Sequence, residues 1–156
     1  TWEKWPEVAR KIFSLLRTDA GEELVLQKNF FVERLLFNDP ITPMSDNDKE
    51  EYLKPYLNEA EGRRPTLTWP RNIPLDGNEP SETLDEVVLN AEFHSASEIP
   101  KLFINANPGL ILTGEQRDEI RKWNSIREVE VKGNHFIQED SSEEITNHLK
   151  EFYNSL

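Results

Sequence analysis

Cysteine is absent from the 156 residues of this chain. The chain therefore has no disulfide framework, no thiolate nucleophile and no thiolate metal site. Basic side chains are scarce as well: 18 Lys and Arg residues stand against 30 Asp and Glu residues, which leaves a net charge of −12. Binding to a phosphate backbone needs clustered cations, so this charge argues against a nucleic-acid partner.

Long apolar runs are also missing. No segment approaches the roughly 20 apolar residues that a membrane-spanning helix requires. The first residues, TWEKWPEVARKIF, are charged and aromatic, unlike a signal peptide. These features predict a soluble, cytoplasmic chain without a membrane span, although a processed secreted or periplasmic protein would have the same composition. The length suits one domain or a large piece of one.

The motifs that announce a complete active site are not found either. The six glycines never bracket a Ser or Asp in the Gly-x-Ser/Asp-x-Gly spacing of a nucleophile elbow. There is no glycine-rich phosphate loop and no His-x-x-x-His pair. The sequence therefore predicts no metal site and no cofactor.

Helical signals dominate the first half. Pro6 suits the first turn of a helix, and the apolar residues after it keep a helical spacing. The apolar residues of 22–36 lie on more than one side, which predicts short helices between other layers. Ser45 has the position of an N-cap, with Asp48 three residues later. The next stretch, RRPTLTWPRNIPLDGNEP, contains four prolines and is predicted to be no regular helix.

The second half has a different period, and the change falls near residues 74–80. The patterns predict helices over 81–93, 114–123 and 141–153, and strands over 101–105 and 127–131. Ser141 and Glu144 have the spacing of a capping box for the last helix. A strand, a crossover helix, a second strand and a second helix indicate a parallel α/β unit.

Functional groups in an open parallel sheet gather at the carboxyl ends of the strands. His135 follows the second predicted strand and has the right position for a general base, because a neutral imidazole accepts protons near neutral pH. A structural role in the turn is the simpler alternative. His94 and His148 lie in helical patterns, where a chemical role is not expected.

Three long segments resemble the haloalkane dehalogenases of the α/β-hydrolase superfamily: RRPTLTWPRNIPLDG, PKLFINANPG and VKGNHFIQEDSSEEI. The likeness also covers TWEKWPEVARKIF, GEELVLQKNFFVERLL and residues 45–57, so it extends over the whole chain. It implies an α/β fold in which residues 1–74 form a helical cap and residues 75–156 form the C-terminal parallel βαβα portion of the hydrolase core.

The resemblance further implies that an N-terminal half of the fold lies outside this sequence. That half would be the partner of this chain and would supply the nucleophilic Asp, a halide-binding Asn and a halide-binding Trp. In one subfamily the acid follows the strand that here contains KLFIN, where this chain has Asn105 and Asn107. The chain resembles the other subfamily, whose acidic Glu would lie just upstream of Thr1.

In the resembling enzymes a carboxylate displaces halide from carbon, and a histidine activates the water that hydrolyses the resulting alkyl-enzyme ester. His135 matches that base, and the implied ligands are a small apolar halogenated substrate, water and halide. The matching positions of the substrate pocket are Trp5, Phe13, Phe31, Asp39, Trp69, Pro70, Ile111 and Phe136. The resemblance implies that Pro70 faces the halide and that Asp39 gives the tunnel mouth an unusual charge. On sequence alone, aromatic residues at helical spacing, such as Trp5 and Phe13, are more often core residues than site residues.

Two other functions stay open from the sequence. Coelenterazine-type luciferases, which are cofactor-independent oxygenases, resemble this chain in fold and in many of the same sequence motifs. The segment INANPG followed by LILTG is closer to the dehalogenases. The other alternative is a truncated chain without catalytic function.

Overall fold

A computed structural model describes residues 5–58, 60–75 and 81–156. The first segment of the fold is helical and contains α1, α2, a π-helix, α3, two short 3-10 helices and α4. Their bounds are Glu7–Leu16 for α1, Asp19–Leu26 for α2, Phe31–Leu36 for the π-helix, Asp46–Leu53 for α3, Lys54–Tyr56 and Ala60–Arg63 for the two 3-10 helices, and Pro65–Arg71 for α4. The second segment contains α5 (Ser81–Ala96), β1 (Lys101–Pro108), α6 (Glu115–Ile120), β2 (Ile126–Gly133) and α7 (Ile137–Tyr153). The predicted change of period near residues 74–80 lies partly outside the described residues.

Helices α1, α2 and α4 contact one another. They enclose a small apolar core of Leu16, Val25, Leu26 and Leu67. The hydroxyl of Thr18 accepts a hydrogen bond from the Gly21 N–H and so caps α2. A Cβ on Gly21 would lie 2.3 Å from the Leu15 carbonyl oxygen, so only glycine permits this close approach of α1 and α2. The predicted Ser45 cap is confirmed, since its hydroxyl accepts from the Asp48 N–H at 3.2 Å.

The proline-rich stretch contains a helix, and the prediction that it has none is wrong. Pro65 occupies the start of α4, where no intrahelical N–H bond is needed. Pro70 lies close to the other end, so its missing N–H removes a single bond near the last turn. A helix of only seven residues tolerates both prolines for these reasons.

Arginine side chains fasten α4 and its neighbours to the ends of α1 and α2. Arg17 donates to the Pro70 carbonyl at 3.0 Å, and Arg71 donates to the Leu16 carbonyl at 2.9 Å. The buried Arg63 donates to the Gln27 carbonyl at 2.8 Å, next to the C-terminus of α2. These bonds satisfy carbonyls that have no partner inside a helix end.

The two strands are parallel, as the sequence predicts. Their register runs from Lys101 opposite Ile126 to Pro108 opposite Gly133. Helix α6 lies in the connection between them, and α7 packs on β2. Both strands extend beyond their predicted ends. Asn105, predicted as the last residue of the first strand, is therefore in the middle of β1, where its amide donates to the Glu128 carboxylate at 2.8 Å.

Helix α7 begins at Ile137, four residues before the predicted start at Ser141. The backbone of Ser141 departs from helical geometry, with φ −138° and ψ 34°, which marks a kink. Its hydroxyl donates to the Lys132 carbonyl at 2.7 Å and so joins α7 to the end of β2. Ser141 therefore lies at the kink where two helical stretches of α7 meet, so the predicted helix start falls at this junction and not at the first residue of α7.

Among the described residues, no helix has the length and apolarity that crossing a membrane demands. The division into a cap of residues 1–74 and a core of residues 75–156 stays a prediction.

Candidate active site

His135 lies two residues beyond the carboxyl end of β2, in the short loop that leads into α7. Parallel strands present such loops at one edge of the sheet, which is the position that the sequence predicts for a functional residue. The imidazole packs edge-on against Phe136, with ring centroids 4.9 Å apart. The loop therefore presents a base and an aromatic ring side by side.

An apolar cavity of about 120 Å³ opens beside this loop. It brings together seven of the sequence-predicted site residues: Phe13, Phe31, Asp39, Trp69, Ile111, His135 and Phe136. These residues come from α1, the π-helix and the turn after it, α4, the loop after β1 and the loop after β2. Residues far apart in the sequence thus form one pocket.

Trp5 and Pro70 are the two predicted site residues that are not among the described lining of this cavity. Trp5 packs edge-on against Phe13 with ring centroids 5.6 Å apart, so it contacts a residue of the cavity wall. Pro70 is fully buried within α4. Its suggested contact with halide stays a prediction.

Sequence reasoning did not single out five further residues of the wall: Val8, Ala9, Ile12, Leu35 and Leu110. The helical spacing carried a signal for some of them. Val8 and Ile12 are four residues apart on α1, and Phe31 and Leu35 are four residues apart on the π-helix, which places each pair on one face. Leu110 gave no comparable signal, because it lies in the irregular loop after β1.

Asp39 is buried in this apolar setting, with 7 % of its surface exposed. Its Oδ2 atom accepts hydrogen bonds from the backbone N–H groups of His135, at 2.9 Å, and Phe136, at 2.7 Å. The sequence led us to expect a charge at the mouth of a tunnel. The structure places this carboxylate in the cavity wall, bonded to the loop that carries the histidine, and the tunnel-mouth role stays a prediction.

Two effects act on the pKa of His135. Burial lowers this pKa below its ordinary value, because a charged imidazolium loses hydration, and the negative charge of Asp39 opposes the lowering. The residue keeps part of its surface exposed to solvent, which moderates the effect of burial. The net direction is down, so the neutral imidazole that can accept a proton is favoured.

The other two histidines lie elsewhere. His94 stacks on Trp123 in the second half of the fold, with ring planes 13° apart. His148 lies on α7, with its Nδ1 atom 3.9 Å from the Glu151 carboxylate. Neither residue lines the cavity. His135 is thus the histidine with both an apolar cavity and a neighbouring carboxylate.

The described lining of the cavity can bind an apolar molecule and offer it one base. Its polar groups are His135 and Asp39, and the rest of the wall is aliphatic or aromatic. A dry apolar pocket with few polar groups suits a small apolar ligand. Neither polar group lies in the strand-to-helix elbow that marks an activated nucleophile.

No protein-family model matches the chain. Individual relatives do: a haloalkane dehalogenase of Sphingobium indicum is 47 % identical over 144 residues, covering 92 % of this chain and 48 % of the relative. A haloalkane dehalogenase of Mycolicibacterium smegmatis is 41 % identical and covers 97 % of this chain and 49 % of the relative. The chain belongs to the haloalkane dehalogenase family. It spans about half the length of the curated relatives it matches.

Solved structures agree with this haloalkane dehalogenase relationship. A putative ancestral haloalkane dehalogenase has a TM-score of 0.87 at 30 % identity, covering 96 % of this chain and 53 % of that one. A haloalkane dehalogenase from Agrobacterium tumefaciens has a TM-score of 0.84 at 27 % identity, covering 96 % and 52 %. The predicted fold class is thereby confirmed: this is a partial core of the α/β-hydrolase fold together with helices. Coelenterazine h 2-monooxygenase of Renilla reniformis is also similar, at 35 % identity over 97 % of this chain and 49 % of the relative.

Proposed function

We propose that this chain forms the helical cap, residues 1–74, and the C-terminal part of the core, residues 75–156, of an enzyme that hydrolyses carbon–halogen bonds. The substrate class is small apolar haloalkanes, and the products are an alcohol and halide. The observation that carries this proposal is the position of His135, at the carboxyl end of β2 and beside an apolar cavity, in a chain of the haloalkane dehalogenase family.

The reaction has two steps. A carboxylate supplied by an N-terminal half attacks the halogen-bearing carbon, and the halide leaves with the electron pair of the broken bond. In the second step His135 takes a proton from water, and the oxygen of that water attacks the carbonyl carbon of the alkyl-enzyme ester. The alkyl oxygen leaves as the alcohol, with a proton returned by the imidazolium, and the carboxylate is regenerated.

The apolar wall suits both steps. Trp69, Phe31 and Ile111 give the cavity an apolar lining, which favours binding of an uncharged haloalkane. A histidine whose pKa lies below its ordinary value is unprotonated at neutral pH and is ready to act as the base. The acid that orients this imidazole is assigned to the N-terminal half, because both hydrogen bonds of Asp39 to this loop go to the backbone.

The test uses a completed enzyme, in which the N-terminal half of a haloalkane dehalogenase precedes these 156 residues. Release of bromide from 1,2-dibromoethane, absent from either half alone, is the expected result. Light emission from coelenterazine without bromide release would favour the oxygenase alternative instead, for which the similarity to the Renilla protein is the supporting observation.

In the pH–rate profile of ester hydrolysis, the fall in rate at acidic pH (the acid limb) is expected below pH 6.5, the ordinary pKa of histidine. A lowered pKa keeps His135 neutral, and hence active, as the pH falls through 6.5 towards the lowered value. Asp39→Asn removes the charge that opposes this lowering, so the limb should move to still lower pH. Single-turnover rates of ester hydrolysis measured between pH 5 and 8 check both statements. A limb above pH 6.5, or a shift to higher pH in Asp39→Asn, would contradict them.

A further inference from the structure

Asp39 connects two segments that lie 96 positions apart. It follows the π-helix by three residues, and its Oδ2 atom accepts from two consecutive N–H groups, those of His135 and Phe136. Both donors immediately precede Ile137, the first residue of α7. A carboxylate is favoured at this position, because the partial positive charge of a helix N-terminus and two N–H donors converge on it.

The contact is reciprocal. The Asp140 carboxylate accepts from the backbone N–H groups of Ile41, at 2.9 Å, and Thr42, at 2.8 Å. The side-chain amide of Asn134 donates to the Asp39 carbonyl at 2.6 Å. Each segment thus places a carboxylate on the backbone of the other. This pairing of residues 39–42 with residues 134–140 holds the loop from both sides.

We propose that Asp39 is a positioning residue, whose carboxylate fixes the backbone of His135 and Phe136 and thereby aims the imidazole at the apolar cavity. This inference rests on the proposed role of His135 as the base. Asp39 acts through the backbone, because both of its bonds to this loop go to N–H groups and neither goes to the imidazole. It is therefore distinct from the acid assigned to the N-terminal half.

The burial of Asp39 is the strongest physical argument for this role. A carboxylate removed from water in an apolar wall is unfavourable unless hydrogen bonds replace its hydration. Here two N–H groups replace the hydration of Oδ2, whereas Oδ1 is buried without a hydrogen-bond partner among the described residues. The two bonds to Oδ2 fix the loop. Catalysis is sensitive to such placement, since a displacement of about 1 Å can reduce a rate about 10²-fold.

Two substitutions distinguish the effect of the acceptor oxygen's position from the effect of its charge. Asp39→Asn keeps an oxygen at the same distance from the backbone and removes the charge. Asp39→Glu keeps the charge and moves the carboxylate by one methylene group. Glu33 lies exposed on the neighbouring π-helix, so Glu33→Gln and Glu33→Asp are matched controls for loss of charge and for change of length.

In the completed enzyme, ester formation and ester hydrolysis are measured separately by rapid quenching and mass spectrometry. For each variant the pH lies on the plateau of its pH–rate profile. Asp39→Glu should slow ester hydrolysis at least 10-fold and leave ester formation within about 3-fold of the parent. Asp39→Asn, which keeps one acceptor oxygen but loses the charge, should slow ester hydrolysis less than Asp39→Glu does. The inference would be overturned if Asp39→Asn and Asp39→Glu slowed ester hydrolysis equally, or if Asp39→Glu hydrolysed the ester at the parental rate. It would also be overturned if Asp39→Glu slowed ester formation and ester hydrolysis equally.

Hydrogen exchange of the His135 and Phe136 amides gives a readout that does not depend on turnover. We expect at least 10-fold faster exchange at both amides in Asp39→Glu, and near-parental exchange in Asp39→Asn and in both Glu33 variants. Unchanged exchange in Asp39→Glu would overturn the inference whatever the activity. If the completed parent enzyme releases no bromide, the proposed function fails, while the exchange measurement still decides whether Asp39 holds the loop.

Discussion

Replacing His135 with alanine in the completed enzyme is expected to stop turnover at the alkyl-enzyme ester. The nucleophilic displacement needs no base, so the ester should still form. Its hydrolysis needs a group that takes a proton from water, and a positioned general base contributes roughly 10²–10⁴-fold to such a step. Mass spectrometry of the quenched protein should therefore find a stable adduct that carries the alkyl group of the substrate.

His94→Ala is the matched control, because His94 stacks on Trp123 and does not line the cavity. It should turn over at the parental rate without accumulating ester. If His135→Ala hydrolyses the ester within about 3-fold of the parent, or if no adduct accumulates while substrate is present, His135 is not the base.

The 156 residues by themselves are expected neither to release halide nor to unfold cooperatively. A lone imidazole cannot displace halide from an alkyl carbon, because that displacement needs the carboxylate nucleophile. The second expectation follows from exposed apolar side chains. Val87, Val88, Leu89 and Phe93 on α5 are each about half exposed. At about 1.5–3 kcal/mol for full burial of each such side chain, burying the exposed half of these four would contribute roughly 3–6 kcal/mol, a large part of a stability margin of ~5–15 kcal/mol.

The sheet adds to this instability. Within the described residues β1 and β2 form a sheet of two strands, and such a small sheet needs further strands or packing to be stable. Calorimetry of the purified chain should give a broad transition or none, and a dye that binds exposed apolar surface should fluoresce strongly. Adding a separately expressed N-terminal half should restore a sharp transition. A sharp melt of the chain alone, together with bromide release from 1,2-dibromoethane, would contradict both expectations.

The sequence alone supported the larger organisation of the molecule. The change from helical to alternating periods separated the helices from the parallel strands, because these periods are local properties of the apolar pattern. The Ser45 cap was predictable for the same reason, since it depends on a residue three positions away. His135 was predictable as a site residue from its place after a strand, and the long family-like segments supported an α/β-hydrolase assignment.

Tertiary contacts decided the features that sequence reasoning missed. The short helix α4 survives its two prolines because Pro65 begins it and Arg17 and Arg71 fasten it to α1. Local propensity contains no information about those distant partners. The same applies to the early start of α7, whose preceding N–H groups are satisfied by Asp39, a residue 96 positions away from His135.

What the sequence by itself determined, then, is the order of the two parallel strands and of the helices around them, and the position of a candidate base, because both depend on neighbouring residues. Only the tertiary structure decided which side chains share the cavity, that Trp5 and Pro70 lie outside its described lining, and that Asp39 accepts hydrogen bonds from the histidine loop. These outcomes depend on distances between residues that the chain brings together when it folds, and burial makes each such distance energetically important.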